Sequence, residues 1–183
     1  MRSASVQKIA EILNVLVLIT FVCNLIALPV VPPLVYWRDN PFHLAAKQAL
    51  TGDLLSFWLE GLSKVWRDPY SLTLALFLLF SGICTAFILW QARRVLKTIL
   101  RGEPFSMENA ISLQHAAVGC FLIAAAALIR LIFSICLYQS PRPLATYNAL
   151  FVPLFAMAGL LCLVMSALFR QAAELKAEND LTI

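Results

Sequence analysis

Residues 111–138 read ISLQHAAVGCFLIAAAALIRLIFSICLY, and the only Asp, Glu, Lys or Arg among them is Arg130. A helix needs roughly 20 apolar residues to cross the hydrocarbon core of a bilayer. Lipid offers no hydrogen-bond partner to the backbone, so a stretch this long, without alternation of polar and apolar residues, is expected to span as a helix and not as a barrel strand. The stretch therefore predicts a transmembrane helix.

Three further stretches, Ile12–Val31, Tyr70–Ala92 and Leu144–Phe169, are of the same kind. With 61% hydrophobic and 13% charged residues, the chain has too little polar surface for a soluble globule. The longest connection, residues 31–69, is too short and too mixed in composition to bury a core of its own. We therefore predict an all-α membrane protein, a four-transmembrane-helix bundle that forms a single integral membrane domain over residues 1–183.

The Lys and Arg residues outside the spans predict the orientation of the bundle, because cytoplasmic loops carry an excess of them. Eight lie on one side: Arg2, Lys8, Arg93, Arg94, Lys97, Arg101, Arg170 and Lys176. Five lie on the other: Arg38, Lys47, Lys64, Arg67 and Arg142. The expected location is the bacterial inner (plasma) membrane, with both termini cytoplasmic.

The first connection contains a predicted amphipathic helix at about residues 51–67, with an N-cap in Thr51-Gly52-Asp53 and an end at Pro69. One face carries apolar residues at helical spacing: Leu54, Trp58, Leu62, Val65 and Trp66. Such a helix is suited to the headgroup region of the bilayer, where a tryptophan side chain is partly in contact with water. We expect an interfacial helix that caps the bundle; a lid over an outward-facing site, or a docking surface for an extracytoplasmic ligand, is the alternative.

Arg130 is unusual in a predicted span, because an arginine at the centre of a transmembrane helix raises the free energy of membrane insertion by about 2.5–3.5 kcal/mol. If the third span ends near Tyr138, Arg130 lies about 12 Å below that end, within reach of a snorkelling side chain. Alternatively, Arg130 faces the bundle interior with Ser134, and meets an asparagine or an anionic ligand. The candidate intramembrane polar site consists of Arg130, Asn24, Asn148 and Ser134.

Motifs for catalysis or metal binding are absent from the sequence. All five cysteines, Cys23, Cys84, Cys120, Cys136 and Cys162, fall inside predicted spans, and no two are spaced C-x-x-C. The chain also lacks HExxH, GxSxG and a phosphate-binding glycine loop. We therefore expect packing cysteines, no metal, no cofactor and no enzymatic activity.

The clearest sequence motifs, those that end and begin helices, lie on the predicted cytoplasmic side. Gly102 is expected to end the second helix, residues 103–105 to form the turn, and Ser106 to cap the third helix, with Asn109 three residues on. Residues 169–183 continue the last helix into the cytoplasm. Exposed polar loop residues bind more often than they pack. The candidate partner site consists of Arg93, Arg94, Phe105, Glu108, Asn109, Glu174, Glu178, Asn179 and Asp180.

These two segments carry a resemblance. The pattern Gly102-x-Pro104-Phe105-Ser106-x-Glu108-Asn109 and the ending Glu174-Leu175-x-x-Glu178-Asn179-Asp180-Leu181-Thr182-Ile183 resemble a family of small bacterial four-helix inner-membrane proteins of unknown function. Members of that family are often encoded beside a small Cro/Xre-type helix-turn-helix regulator. The resemblance therefore implies such a regulator as a partner, and it implies no particular chemistry.

Two functional hypotheses follow. The first is a non-enzymatic sensor or tether whose cytoplasmic face binds a small transcription regulator, without direct contact with nucleic acid. The second is a small-molecule or ion permease subunit, or an immunity-type membrane protein, with a polar site around Arg130. Self-association is also expected, because four helices bury only part of their faces.

Overall fold

The structure, a computed structural model, describes residues 2–31, 35, 54–139 and 147–180. These residues form five α-helices and no strand. The helices are α1 (Arg2–Ala27), α2 (Leu54–Val65), α3 (Pro69–Leu100), α4 (Met107–Tyr138) and α5 (Tyr147–Asp180). Four of them, α1, α3, α4 and α5, are long and apolar enough to cross a membrane. The predicted all-α class with four spanning helices is confirmed.

Proline marks the end of α1 and the start of α3. The first helix gives way after Ala27 to a 3₁₀ turn, Leu28–Val30, which contains Pro29. The amphipathic helix ends at Val65, earlier than the predicted end at Pro69, and Pro69 is instead the first residue of α3. Pro suits that position because the first helical N–H has no partner within the helix. The carboxylate of Asp68 caps α3 by accepting a hydrogen bond from the Ser71 N–H at 3.0 Å.

The four long helices pack in chain order, each antiparallel to its predecessor. The main contacts join α1 to α3, α3 to α4, and α4 to α5. Of the most apolar window of each helix, 28% is buried in α4 and 22% in α3, against 6% in α5 and none in α1. The core therefore lies along α3 and α4, and the first and last helices flank it.

The Ile88 side chain of α3 packs directly onto Gly119 of α4. A Cβ atom at Gly119 of α4 would lie 2.8 Å from Cγ1 of Ile88 on α3, well inside van der Waals contact. A larger residue at position 119 would require the Ile88 side chain to shift. Small residues are the usual means of bringing helices together in a membrane, where the hydrophobic effect does not drive association.

The apolar residues of the amphipathic helix α2 lie in two different environments. Gly61 and Val65 are buried, where α2 contacts α3. Leu55, Leu59 and Trp66 lie on an adjacent stripe and are 75%, 53% and 66% exposed. The sequence placed Val65 and Trp66 on one face, whereas the structure packs the first and exposes the second. The predicted N-cap, Thr51 to Asp53, lies outside the described residues.

The helices are longer than the apolar stretches they contain. With 32 residues in α3 and 34 in α5, they extend about 48 and 51 Å at 1.5 Å per residue, well beyond a hydrocarbon core about 30 Å thick. The antiparallel order places the start of α1, the α3–α4 connection and the end of α5 together. We call the part formed by residues 93–113 and 169–179 the hairpin end.

Candidate functional site

The α3–α4 connection at the hairpin end is built on a left-handed glycine. Gly102 has φ of 84°. Its N–H donates to the Ile99 carbonyl at 3.1 Å, and the Glu103 N–H donates to the Thr98 carbonyl at 3.1 Å. This pair of hydrogen bonds defines a Schellman motif, in which the left-handed residue is most often glycine. The predicted end of the second spanning helix is confirmed.

Ser106 and Asn109 begin α4 as predicted. The Ser106 hydroxyl accepts a hydrogen bond from the Asn109 N–H at 3.4 Å. The Asn109 side chain is fully buried; its Nδ2 donates to the Pro104 carbonyl at 2.8 Å, and its Oδ1 accepts from the Thr98 hydroxyl. Asn109 therefore joins the end of α3, the turn and the start of α4, which leaves its side chain no surface for a partner.

Three charged residues of the candidate partner site, Arg93, Arg94 and Glu108, lie on α3 and α4 at the hairpin end. Arg94 on α3 and Glu108 on α4 form an ion pair at 3.0 Å, with side chains 47% and 52% exposed. An ion pair this exposed is worth no more than about 1 kcal/mol. Arg93 is half-buried, and its Nε has no hydrogen-bond partner among the described residues.

α5 contacts the start of α4 and the turn that precedes it. The Ser166 hydroxyl on α5 donates to the Ala110 carbonyl at 2.7 Å. The rings of Phe105 and Phe169 lie 5.8 Å apart, and Phe105 remains 53% exposed. The two segments that the sequence singled out are thus brought side by side.

Beyond Phe169, α5 continues as a helix through the predicted cytoplasmic segment. Arg170 and Glu174 pair at 3.0 Å on its surface. Leu175 is 64% exposed, and Glu178 and Asn179 are exposed as well. The side chain of Asp180 and residues 181–183 lie outside the described part of the chain.

Arg130, the centre of the candidate intramembrane site, is buried: its residue is 8% exposed. The guanidinium carbon lies 4.9 Å from the ring centroid of Phe77 on α3, a cation–π geometry. Ser134, one turn further along α4, is also buried. The arginine thus packs against α3 within the bundle instead of extending along the outside of α4.

The structure does not bring Asn24 to this site. Phe21 contacts Trp90, and Leu28 lies beside Gly82, so Asn24 is level with α3 residues between these two. Phe77 is more than a turn beyond Gly82, and the offset between Asn24 and Phe77 is on the order of 13 Å along the helix axis. The Asn148 side chain lies outside the described residues.

Sequence reasoning missed a buried polar seam between α3 and α4. Gln91, Thr98 and Ser112 are 4%, 6% and 2% exposed, and the Gln91 Oε1 atom has no hydrogen-bond partner among the described residues. The available signal was spacing: Gln91 and Thr98 are seven residues apart and share one face of α3. Each of the five cysteines is a free thiol, and the described residues contain no cluster suited to a metal ion.

Four long apolar helices in antiparallel order, with charge concentrated beyond their ends, define a multi-pass helical membrane protein. The model of the DUF2975 family, described as a protein of unknown function, matches residues 13–183. The chain belongs to this family, which confirms the resemblance to small membrane proteins of unknown function. A comparison with curated proteins finds no match, and neither does a comparison with solved structures.

Proposed function

We propose that this protein is a non-enzymatic membrane sensor or tether that holds a small soluble transcription regulator at the cytoplasmic face of the bacterial inner membrane. One observation carries the proposal: large apolar side chains are exposed at the hairpin end, past the apolar core of the spans. Phe105, Met107 and Leu175 are 53%, 42% and 64% exposed.

Lipid accounts for exposed apolar residues within the spans, but not for those at a charged helix end. Glu108 lies near the exposed Phe105 in the chain and pairs with Arg94, while Arg170 and Glu174 lie near Leu175; all four charged residues are exposed. An apolar contact rimmed by charged residues is the usual anatomy of a protein-binding surface. The short Leu181-Thr182-Ile183 tail adds apolar residues next to this surface in the sequence.

The test is affinity capture from native membranes with the full chain and with a chain that ends at Arg170. The truncation removes the α5 extension but leaves the Phe105–Phe169 contact and the spans. We expect the full chain to retain a small helix-turn-helix protein, and the truncated chain to lose it while remaining in the membrane at normal level.

Point variants sharpen the experiment. Phe105→Ser and Leu175→Ser each remove an exposed apolar side chain and are expected to weaken capture. Leu168→Ser removes a leucine that is 53% exposed within the apolar part of α5, and serves as the matched control. Equal retention of the regulator by the full and truncated chains, or loss in the control alone, contradicts the proposal.

A second candidate is a permease subunit or an immunity-type membrane protein, which the burial of Arg130 beside Phe77 favours. On this proposal Arg130→Leu abolishes uptake or resistance without lowering expression. Arg130→Lys is the matched variant that preserves the charge. Wild-type activity of Arg130→Leu counts against a site at this residue.

A further inference from the structure

A cleft lies between the start of α1 and the end of α3, at the hairpin end of the bundle. Its volume is about 410 Å³, and the described residues that line it are Gln7, Lys8, Glu11 and Leu100. The first apolar stretch of the chain begins just after these α1 residues, at Ile12. The cleft therefore lies at the level where a spanning bundle meets the lipid headgroups.

An apolar groove continues from the cleft along α1. Its volume is about 510 Å³, and its described lining residues are Lys8, Glu11, Ile12, Val15 and Leu16. Ile12, Val15 and Leu16 are 62%, 50% and 53% exposed, so the groove opens toward the space that lipid fills around the bundle. From Lys8 to Leu16 it follows α1 for about 12 Å toward the membrane interior.

The α3 face that borders the cleft is basic. Arg93, Lys97 and Leu100 are spaced i, i+4 and i+7, so they share one face of α3. Leu100 lines the cleft, which turns this face toward α1. Lys97 is exposed, and Arg93 is half-buried.

The register of α1 against α3 gives the depth of Lys97. Phe21 contacts Trp90, and the two helices run antiparallel, so Lys97 is level with Asn14, which is seven residues before Phe21. Lys8 is six residues before Asn14, an offset of about 9 Å along the axis. Two long lysine side chains that lean toward each other can close this distance on one phosphate group.

Positive charge is in excess around the cleft. Lys8 and Lys97 are exposed, and neither forms an ion pair with another residue that the structure describes. Glu11 is the one acid among the described lining residues. Together with Arg93, two lysines therefore set three positive charges against one carboxylate. The cleft is complementary to an anion.

We infer that this cleft binds an anionic phospholipid, with the phosphate between Lys8 and Lys97 and one acyl chain in the apolar groove. A lysine ammonium binds phosphate as a compact point charge, and basic pockets between transmembrane helices bind lipid headgroups. Along α1, the cleft presents charge first and the groove presents apolar surface second. A bilayer presents the two parts of a phospholipid in the same order.

The charge balance also selects the headgroup. Phosphatidylglycerol carries a net negative charge, which the excess of cations attracts. Phosphatidylcholine is neutral overall and brings a further cation close to the lysines. A soluble phosphate matches the lysines but makes no contact with the apolar groove. Because Glu11 repels a phosphate in the cleft, Glu11→Gln is expected to strengthen the binding of phosphatidylglycerol.

The experiment titrates the purified full chain with phosphatidylglycerol and, separately, with phosphatidylcholine, and counts bound lipids by native mass spectrometry. We expect the wild type to prefer phosphatidylglycerol. Lys8→Gln and Lys97→Gln are each expected to bind it about fivefold more weakly, the contribution of one lysine near an anionic lipid surface. Lys176→Gln removes an exposed lysine from α5, which packs on α4, and is the matched control with wild-type binding. Inorganic phosphate is expected not to compete, because it lacks the acyl chain.

A second pair of variants tests the groove without changing the charge. Val15 lines the groove, and Val15→Phe narrows it. Val22, which is 44% exposed two turns further along α1, is not among the described lining residues, so Val22→Phe adds the same ring outside the groove. Loss of phosphatidylglycerol binding in Val15→Phe but not in Val22→Phe supports the inference. Equal binding of both lipids by the wild type, wild-type binding by Lys8→Gln and Lys97→Gln, equal binding by the two phenylalanine variants, or competition by inorganic phosphate overturns it.

Discussion

The side chain of Asn109 shows how a residue that looks functional in sequence can be structural. Its position in an exposed connection suggested a partner site, yet its amide is fully buried and bridges Thr98 to Pro104. The sequence predicted its place three residues after the cap. Burial could not be predicted, because it depends on α3 passing within hydrogen-bond distance of the turn.

Replacing Asn109 with alanine is expected to destabilise the bundle by about 1–3 kcal/mol, because it removes the hydrogen bonds to Thr98 and Pro104 and leaves the Pro104 carbonyl without this donor. The loss is measured as a lowered thermal unfolding midpoint of the purified protein in detergent. Gln114, an exposed amide one turn further on, is the matched control. A shift in Gln114→Ala as large as that in Asn109→Ala refutes this assignment.

Gly102 allows a prediction about backbone conformation alone. A Cβ atom there would meet nothing within 4 Å, so Gly102→Ala changes no packing. Because φ is 84°, alanine is expected to cost about 1–2 kcal/mol of stability, and asparagine, which tolerates the left-handed region, less. Thermal unfolding of the two variants measures the difference. Equal midpoints for alanine and asparagine contradict it.

Asp68 gives a prediction about pH. Hydrogen bonds from the Ser71 hydroxyl and the Ser71 N–H hold the pKa of its carboxyl below the ordinary 3.8. Because the pKa is lower in the folded state, the charged cap stabilises α3 above pH 3.8, and this stabilisation is lost as pH falls through the lowered pKa. The stability difference between the wild type and Asp68→Ala should be constant near neutral pH and shrink in acid. If the difference in unfolding midpoint between the wild type and Asp68→Ala does not change in acid, the charge of Asp68 is not its source.

At the scale of elements, the spans were predictable and the details of α2 were not. Long apolar runs identify spanning helices by composition alone, and Gly102 and Ser106 mark the α3–α4 boundary through local backbone chemistry. The orientation of α2 depends instead on which part of its apolar sector meets α3. Val65 is 2% and Trp66 66% exposed, although the two are adjacent in sequence.

The exposed stripe of α2, Leu55, Leu59 and Trp66, is expected to contact lipid at the headgroup boundary. A variant that keeps Trp66 and replaces Trp37, Trp58 and Trp90 by phenylalanine isolates its fluorescence. We expect quenching by lipids brominated near the headgroup, and weak quenching by aqueous iodide. Strong quenching by iodide alone places the stripe in water and favours a lid or a docking surface.

At the scale of the whole molecule, the sequence predicted the class and the grouping of charge. An even number of antiparallel crossings brings the start of α1 and the end of α5 to the same end, as the distribution of Lys and Arg implies. The polar seam could be predicted only in part: the seven-residue spacing of Gln91 and Thr98 marks a shared face of α3, but which helix covers that face depends on tertiary packing. Phe77 became notable only once Arg130 lay against it.

The predicted orientation has a direct test. A fluorescent protein that matures only in the cytoplasm is expected to be bright when fused after Ile183, and a phosphatase that is active only outside is expected to be inactive there. The matched fusion within the first connection, at Gly52, should give the opposite result. A bright fusion at both sites contradicts the predicted topology.

The chain-order packing of the helices bears on how the protein is made. Each of α3, α4 and α5 finds its main neighbour in the long helix synthesised just before it. As the ribosome delivers α3, α4 and α5 in turn, each can dock on a surface already in the bilayer. We therefore expect assembly to proceed alongside translation, before the finished chain is released.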